Sequence, residues 1–159
     1  DIPGRSIVRG NDNTLAKLVA DYANISGIKD ATADLARPTI LHNMLGNTFT
    51  QLSGEDATAL PYLAAGGHGC ISVTANIAPK LLSDMHASWW AGDIAAAQTI
   101  HQKLLPVHEA MFCEASPGPV KYAASLLGIC SDEVRLPLCE IADSSKSQVK
   151  DALVGAGLL

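Results

Sequence analysis

Between Leu15 and Trp90 two kinds of stretch alternate, and the alternation restricts the chain to one group of architectures. Runs with apolar residues three and four apart are separated by short, β-branched apolar runs. A helix is expected over residues 11–23, with Leu15, Leu18, Val19 and Tyr22 on one face and Asn13 or Thr14 as its cap. A strand over 25–29 follows, then a helix over 34–45, capped by Asp34 and closed by Gly46. Next come a strand over 49–53, a helix over 56–65 stopped by Gly66-Gly67, a strand over 70–73 and a helix over 76–90. Helix and strand in strict alternation predict parallel strands with crossover helices, an α/β layered fold.

The first of these strands carries the chemistry. Asn24-Ile25-Ser26-Gly27-Ile28-Lys29-Asp30-Ala31-Thr32 is a β-branched run that ends on a lysine and passes at once into turn-prone polar residues. A cation at the end of an apolar strand either snorkels to solvent or loses hydration. Lost hydration lowers a lysine's pKa and frees its amine as a nucleophile toward a carbonyl. Gly54 and Ser72 end the next two strands, so polar and small residues gather at strand carboxyl ends, where α/β barrels build their sites. Glu55 and Asp56 open the helix after Gly54, either as substrate contacts or as ordinary helix N-terminal acids. Gly66-Gly67-His68-Gly69 reads as a tight helix-to-strand turn, with His68 part of the turn. Arg5, in an expected loop over residues 1–10, offers a planar fork suited to a carboxylate, or else a solvated surface charge.

After Gly92 the strands stop. Asp93 caps a long helix that Pro106 is expected to bend or break. Ser116-Pro117-Gly118-Pro119 interrupts the chain, a helix over 120–127 ends at Gly128, an extended connector covers 133–138, and Ser144 or Ser145 starts a last helix. The expected division is therefore residues 1–92 for the α/β part and 93–159 for a helical region. A net charge of −5 argues against a nucleic-acid surface. No run reaches the ~18 apolar residues of a membrane span, and the first residues lack a signal-peptide pattern. Cys70, Cys113, Cys130 and Cys139 have no CxxC spacing; they are expected to be reduced, mostly buried thiols of a cytoplasmic protein rather than metal ligands with His108. No metal is expected.

Several segments together carry a resemblance. They are Ile2-Pro3-Gly4-Arg5, Gly27-Ile28-Lys29-Asp30-Ala31-Thr32, Leu52-Ser53-Gly54-Glu55-Asp56-Ala57 and Gly66-Gly67-His68-Gly69-Cys70-Ile71-Ser72-Val73-Thr74-Ala75-Asn76, with Pro119-Val120-Lys121 and Val134-Arg135-Leu136-Pro137 beyond them. With these the chain resembles the C-terminal half of the dihydrodipicolinate synthase family, pyruvate-dependent class I aldolases. The resemblance implies the C-terminal half of a (β/α)8 TIM barrel followed by a C-terminal helical appendage. It implies that Lys29 forms a covalent imine with pyruvate, with no other cofactor. It implies that Arg5 holds the carboxylate of aspartate semialdehyde, that Gly54 and Ile71 line the pyruvate pocket, and that Glu55 and Asp56 lie near the second substrate.

What the resemblance leaves out is equally specific. In the family a proton-shuttling tyrosine, a carboxylate-binding threonine pair and a second tyrosine lent across a dimer belong to the preceding half of the barrel. Tyr22, Tyr62 and Tyr122 fall on expected helices and read as structural. The chain is therefore expected to be part of a larger protein, partnered by the N-terminal half of the barrel and by further copies in a homo-oligomer such as a homotetramer. A sister aldolase acting on another aldehyde, and a non-catalytic scaffold that keeps only an association surface, are the competing readings.

Overall fold

The computed structural model describes residues 1–159, which form two compact units, Asp1–Ser72 and Val73–Leu159. The first holds all the strands. A short helix α1 (Pro3–Ser6) precedes α2 (Asp12–Asp21), β1 (Gly27–Asp30), α3 (Arg37–Leu45), β2 (Thr50–Ser53), a 3-10 turn (Asp56–Thr58), α4 (Ala59–Ala64) and β3 (Gly69–Cys70). Residues 1–10, expected as a loop, thus contain one helical turn. Asn11 caps α2, its side chain accepting from the Thr14 N–H, in place of Asn13 or Thr14. The helix begins close to where it was expected, but the cap falls on Asn11 because that residue is extended and its side-chain oxygen reaches the first turn. Asp34 does not cap α3 as expected: the N-cap is Ala36, without a side-chain cap bond, while the Asp34 carboxylate accepts from the Ala36 N–H in the turn before the helix and Pro38 occupies the helix's first turn. Gly46, at a φ of 77°, ends that helix.

The strands pair in the order β1-β2-β3, both pairs parallel. Gly27 pairs with Thr50, Lys29 with Leu52 and Asp30 with Ser53; Leu52 in turn pairs with Gly69 and Ser53 with Cys70. Gly27 sets this spacing. A Cβ there would stand 2.6 Å from the Thr50 carbonyl oxygen, so only glycine lets the two backbones approach. His68 extends the sheet by another route. Its backbone N–H donates to the Gln51 carbonyl at 2.8 Å, while its ring Nδ1 accepts from the Gln51 N–H at 3.1 Å. The imidazole thus takes the place of a ladder carbonyl.

The two faces of the sheet differ. Asp30, Gln51 and Ser53 are buried, with the Gln51 amide donating to the Pro38 carbonyl at the start of α3. Gly27 and Thr50, which alternate with them, are exposed; Lys29, Leu52 and Gly69 are half-buried. The helices of this unit cover the first face and leave the second open, as the period-2 alternation of strand side chains requires.

The second unit is helical. A 3-10 turn (Thr74–Asn76) leads into α5 (Pro79–Trp90), α6 (Ile94–Ala110), α7 (Gly118–Leu126) and α8 (Asp143–Gly155). Asp93 caps α6, accepting from the Ala96 N–H at 3.0 Å. Pro106 does not end that helix, which runs on to Ala110; the flanking buried Leu104, Val107 and Ala110 hold the chain helical across the missing donor. Ile77, Val107, Met111, Ala123, Val149 and Leu153 form the core. Within it Thr74 Oγ1 lies 2.7 Å from His108 Nδ1, both side chains buried. All four cysteines are free thiols, but Cys130 and Cys139 are exposed because both belong to the connector after α7. The units divide between Ser72 and Val73 rather than at the expected residue 92, so α5 belongs with the helical unit; Gly92, at a φ of 81°, makes the turn between α5 and α6. No helix is long and apolar enough to cross a membrane.

Candidate active site

Lys29, Gly54 and Ile71 lie on the open face of the sheet. Lys29 stands in a row with Leu52 and Gly69. The ladder continues one step past the strands: the Gly54 N–H donates to the Asp30 carbonyl at 2.7 Å, and the Ile71 N–H to the Ser53 carbonyl at 2.8 Å. The next row toward the carboxyl ends is therefore Ala31, Gly54 and Ile71, on the same face as Lys29. Ile71 is half exposed there.

Gly54 makes the lysine's position possible. A Cβ at residue 54 would lie 2.8 Å from Lys29 Cε, 2.8 Å from Ala31 Cβ and 3.2 Å from Lys29 Cγ. The methylene stem of Lys29 thus lies across the bare backbone of Gly54, with the amine at the carboxyl end of the sheet. The stem is packed and the amine is free of any competing carboxylate on that row.

The two acids after Gly54 separate. Glu55 is the N-cap of the 3-10 turn, its Oε1 accepting from the Ala57 N–H at 3.4 Å, and it is half-buried. Asp56 is 1% exposed, and its carboxylate lies 3.9 Å from the Cys70 thiol. Cys70 pairs with Ser53 in a row of the covered face, so Asp56 is placed with the support of the sheet, not beside Lys29. Burial, and then the nearby Asp56 charge, push the Cys70 thiol up to about 12. It stays a thiol at neutral pH.

Sequence reasoning passed over Arg37. Its guanidinium is 1% exposed and holds three carboxylates: Asp1 at 2.7 Å, Asp12 at 2.7 Å and Asp30 at 3.2 Å. Its Nε also donates to Asp12 at 2.9 Å. Asp30 Oδ1 further accepts from the Thr32 N–H, while Oδ2 is buried without a hydrogen bond. The Tyr62 phenol, also buried, is pushed well above its ordinary value by burial first and the Asp30 charge second, with the Arg37 cation opposing. Removing one member of such a buried group strands the others, at a cost of about 3–5 kcal/mol. Its partners are far apart in sequence; the only local hint was an arginine in the first turn of a helix, where the dipole disfavours a cation. Arg5 itself is exposed on α1, within a loop whose ends are Asp1 and Gly10.

Comparison with known proteins fits this arrangement. The profile of the dihydrodipicolinate synthetase family matches residues 1–156. The chain belongs to that family. The 4-hydroxy-tetrahydrodipicolinate synthase of Acidiphilium cryptum is 54% identical over 159 residues, and that of Gluconacetobacter diazotrophicus 52% identical over 160. Each match takes in 100% of this chain and 54% of the relative, so the chain spans about half the length of the curated relatives it matches. The synthase of Methylacidiphilum fumariolicum superposes with a TM-score of 0.95 at 33% identity, covering 99% of this chain and 52% of that one. The Acinetobacter baumannii dihydrodipicolinate synthase, solved in complex with pyruvate, superposes with a TM-score of 0.93 at 39% identity, over 100% of this chain and 54% of that one. The fold is the C-terminal half of a family TIM barrel with its helical appendage, as the resemblance implied. The open face of the sheet is the one that carries Lys29.

Proposed function

We propose that this chain supplies the Schiff-base half of a lyase that condenses pyruvate with aspartate 4-semialdehyde to 4-hydroxy-tetrahydrodipicolinate, in lysine biosynthesis by way of diaminopimelate. The observation that carries the reading is the Lys29 stem laid over Gly54 on the open sheet face. In this reading the Lys29 amine adds to the keto carbon of pyruvate, and loss of water gives an imine. The positive nitrogen draws electrons from the adjacent methyl group, which gives up a proton and leaves an enamine. The enamine carbon attacks the aldehyde carbon, whose oxygen takes a proton. The amine of the second substrate then closes on the imine carbon and expels Lys29, which is regenerated.

Gly54 and Ile71 border the pyruvate site, Arg5 offers its fork to the second substrate's carboxylate, and Glu55 stands at the rim. Asp56 serves by holding the turn after β2 rather than by touching substrate. The activity belongs to a protein in which the other half of the barrel covers the open face. In support, the Asp1 backbone already makes a parallel ladder step on the outer edge of β1: its nitrogen donates to the Lys29 carbonyl at 2.7 Å and its carbonyl accepts from the Ala31 N–H at 2.9 Å. A reducing cytoplasm suits the free cysteines, and association into a homo-oligomer is part of the same reading.

The test is borohydride reduction with pyruvate of protein that carries both halves, followed by peptide mapping. One adduct at Lys29, lost in Lys29→Ala, is the expected result. Labelling spread over several lysines refutes the reading. A panel of aldehydes then separates aspartate semialdehyde from sugar-derived substrates.

A further inference from the structure

The loop that bears Arg5 has no packed core of its own. Ile7 and Val8 are strongly exposed, and α1 buries no residue. What fixes it is its base. Asp1 Oδ2 accepts from the Gly10 N–H at 3.0 Å and from Arg37 Nη1 at 2.7 Å, so one carboxylate oxygen joins both ends of the loop to one guanidinium. The same Nη1 lies 3.2 Å from Asp30 Oδ1, on the residue that follows Lys29. The other side of the fork grips Asp12 at the start of α2, where the loop's chain continues. A guanidinium alone can do this. It is planar, permanently charged and donates in several fixed directions, whereas an ammonium satisfies these carboxylates only one or two at a time.

We propose that Arg37 is a positioning residue for the second substrate: it fixes the Arg5 loop relative to the Lys29 strand, and so sets where the carboxylate-binding fork stands over the imine carbon. The inference rests on the lyase reading for its catalytic consequence, but its structural content does not. A loop freed at the base lets its arginine drift, and a displacement of roughly 1 Å in a positioning group can cost up to about a hundredfold in rate. Pyruvate, held by Lys29 on the sheet itself, does not depend on that loop.

The experiment compares wild type, Arg37→Lys and Asp1→Ala in protein carrying both halves of the barrel. Asp1→Ala cuts the loop base while leaving the Arg37 fork on Asp12 and Asp30, and covers the case in which Arg37→Lys fails to fold. In either folded variant KM for aspartate semialdehyde is expected to rise about tenfold or more, while borohydride trapping of pyruvate on Lys29 stays within about twofold of wild type. Hydrogen exchange of the Arg5, Ser6 and Ile7 amides, which bond to Ile2 and Pro3 carbonyls, is expected to quicken, with α4 unchanged. A lowered melting temperature with unaltered KM and unaltered loop exchange overturns the proposal, as does an equal loss of both substrates. If wild type traps no pyruvate on Lys29 the lyase reading falls, and the exchange result alone then decides whether Arg37 holds the loop.

Discussion

Adding a single methyl group at residue 54 tests the geometry of the candidate nucleophile directly. In Gly54→Ala the new carbon would stand 2.8 Å from both Lys29 Cε and Ala31 Cβ. Carbon atoms pack at about 3.5–4.0 Å, so each contact is short by about 0.7 Å or more. The residue 54 backbone cannot easily retreat, because its N–H is bonded to the Asp30 carbonyl at 2.7 Å. The Lys29 stem is the softer partner and gives way. Overpacking of this kind costs about 1–3 kcal/mol in stability, and displacing a nucleophile by about 1 Å slows its reaction by up to about a hundredfold. Trapping of pyruvate by borohydride, read at the Lys29 peptide in protein with both barrel halves, should slow by at least tenfold, a drop within that range. Urea unfolding of the same protein reports the stability cost. The double variant Ala31→Gly/Gly54→Ala removes one of the two clashes. It should recover stability and leave trapping slow, because the contact with Lys29 Cε remains. Wild-type trapping in Gly54→Ala, or full recovery of trapping in the double variant, refutes the argument that residue 54 positions the lysine.

Other expectations follow from particular contacts. Gly67→Ala puts a Cβ 2.2 Å from the buried Tyr62 ring; it should lower the urea midpoint by an amount equivalent to about 1–3 kcal/mol, with Gly66, whose open turn a side chain meets without collision, as a contrast only in packing. Iodoacetamide at pH 8 should modify exposed Cys130 and Cys139 first and Cys70 last, since burial and Asp56 keep the Cys70 thiol protonated up to about 12; peptide mapping reads the order. His86 has its pKa lowered by burial, so the folded state prefers it neutral. Its contribution to stability is therefore present above the unfolded value near 6.5 and is lost as pH falls below it, and His86→Gln should flatten the fall in melting temperature between pH 7 and pH 5.

The order of elements was legible because it depends on local properties. Side-chain period, capping oxygens and stop glycines lie within a few residues of each other, and so the three parallel strands, the Asp93 cap and the turn at Gly46 could be read directly. Lys29 drew notice for a similar reason, a charge at the end of a β-branched run, but that run alone fits a lysine that snorkels to solvent equally well, and only the other segments of the chain pointed to a site. The errors arose where tertiary packing overrides a local signal. Pro106 is a helix breaker taken alone, yet α6 continues through it because its neighbours are buried. The strand at 70–73 shortens to Gly69–Cys70 because its ladder needs β2 beside it, and β2 ends at Ser53.

Only the folded chain decides which residues share a face. Glu55 and Asp56 are indistinguishable in sequence, but one caps a turn and the other is buried beside a thiol. The contact between Lys29 and Gly54 spans 25 residues and depends on a parallel register that no local pattern specifies. The same holds for Arg37, whose carboxylates lie up to 36 residues away. A cation is buried at an affordable free energy only when several anions converge on it, and convergence is a property of the fold. The sequence determined that a lysine would end a strand of a parallel α/β sheet. The tertiary structure decided what the lysine lies against, and which charge ties the loop beside it in place.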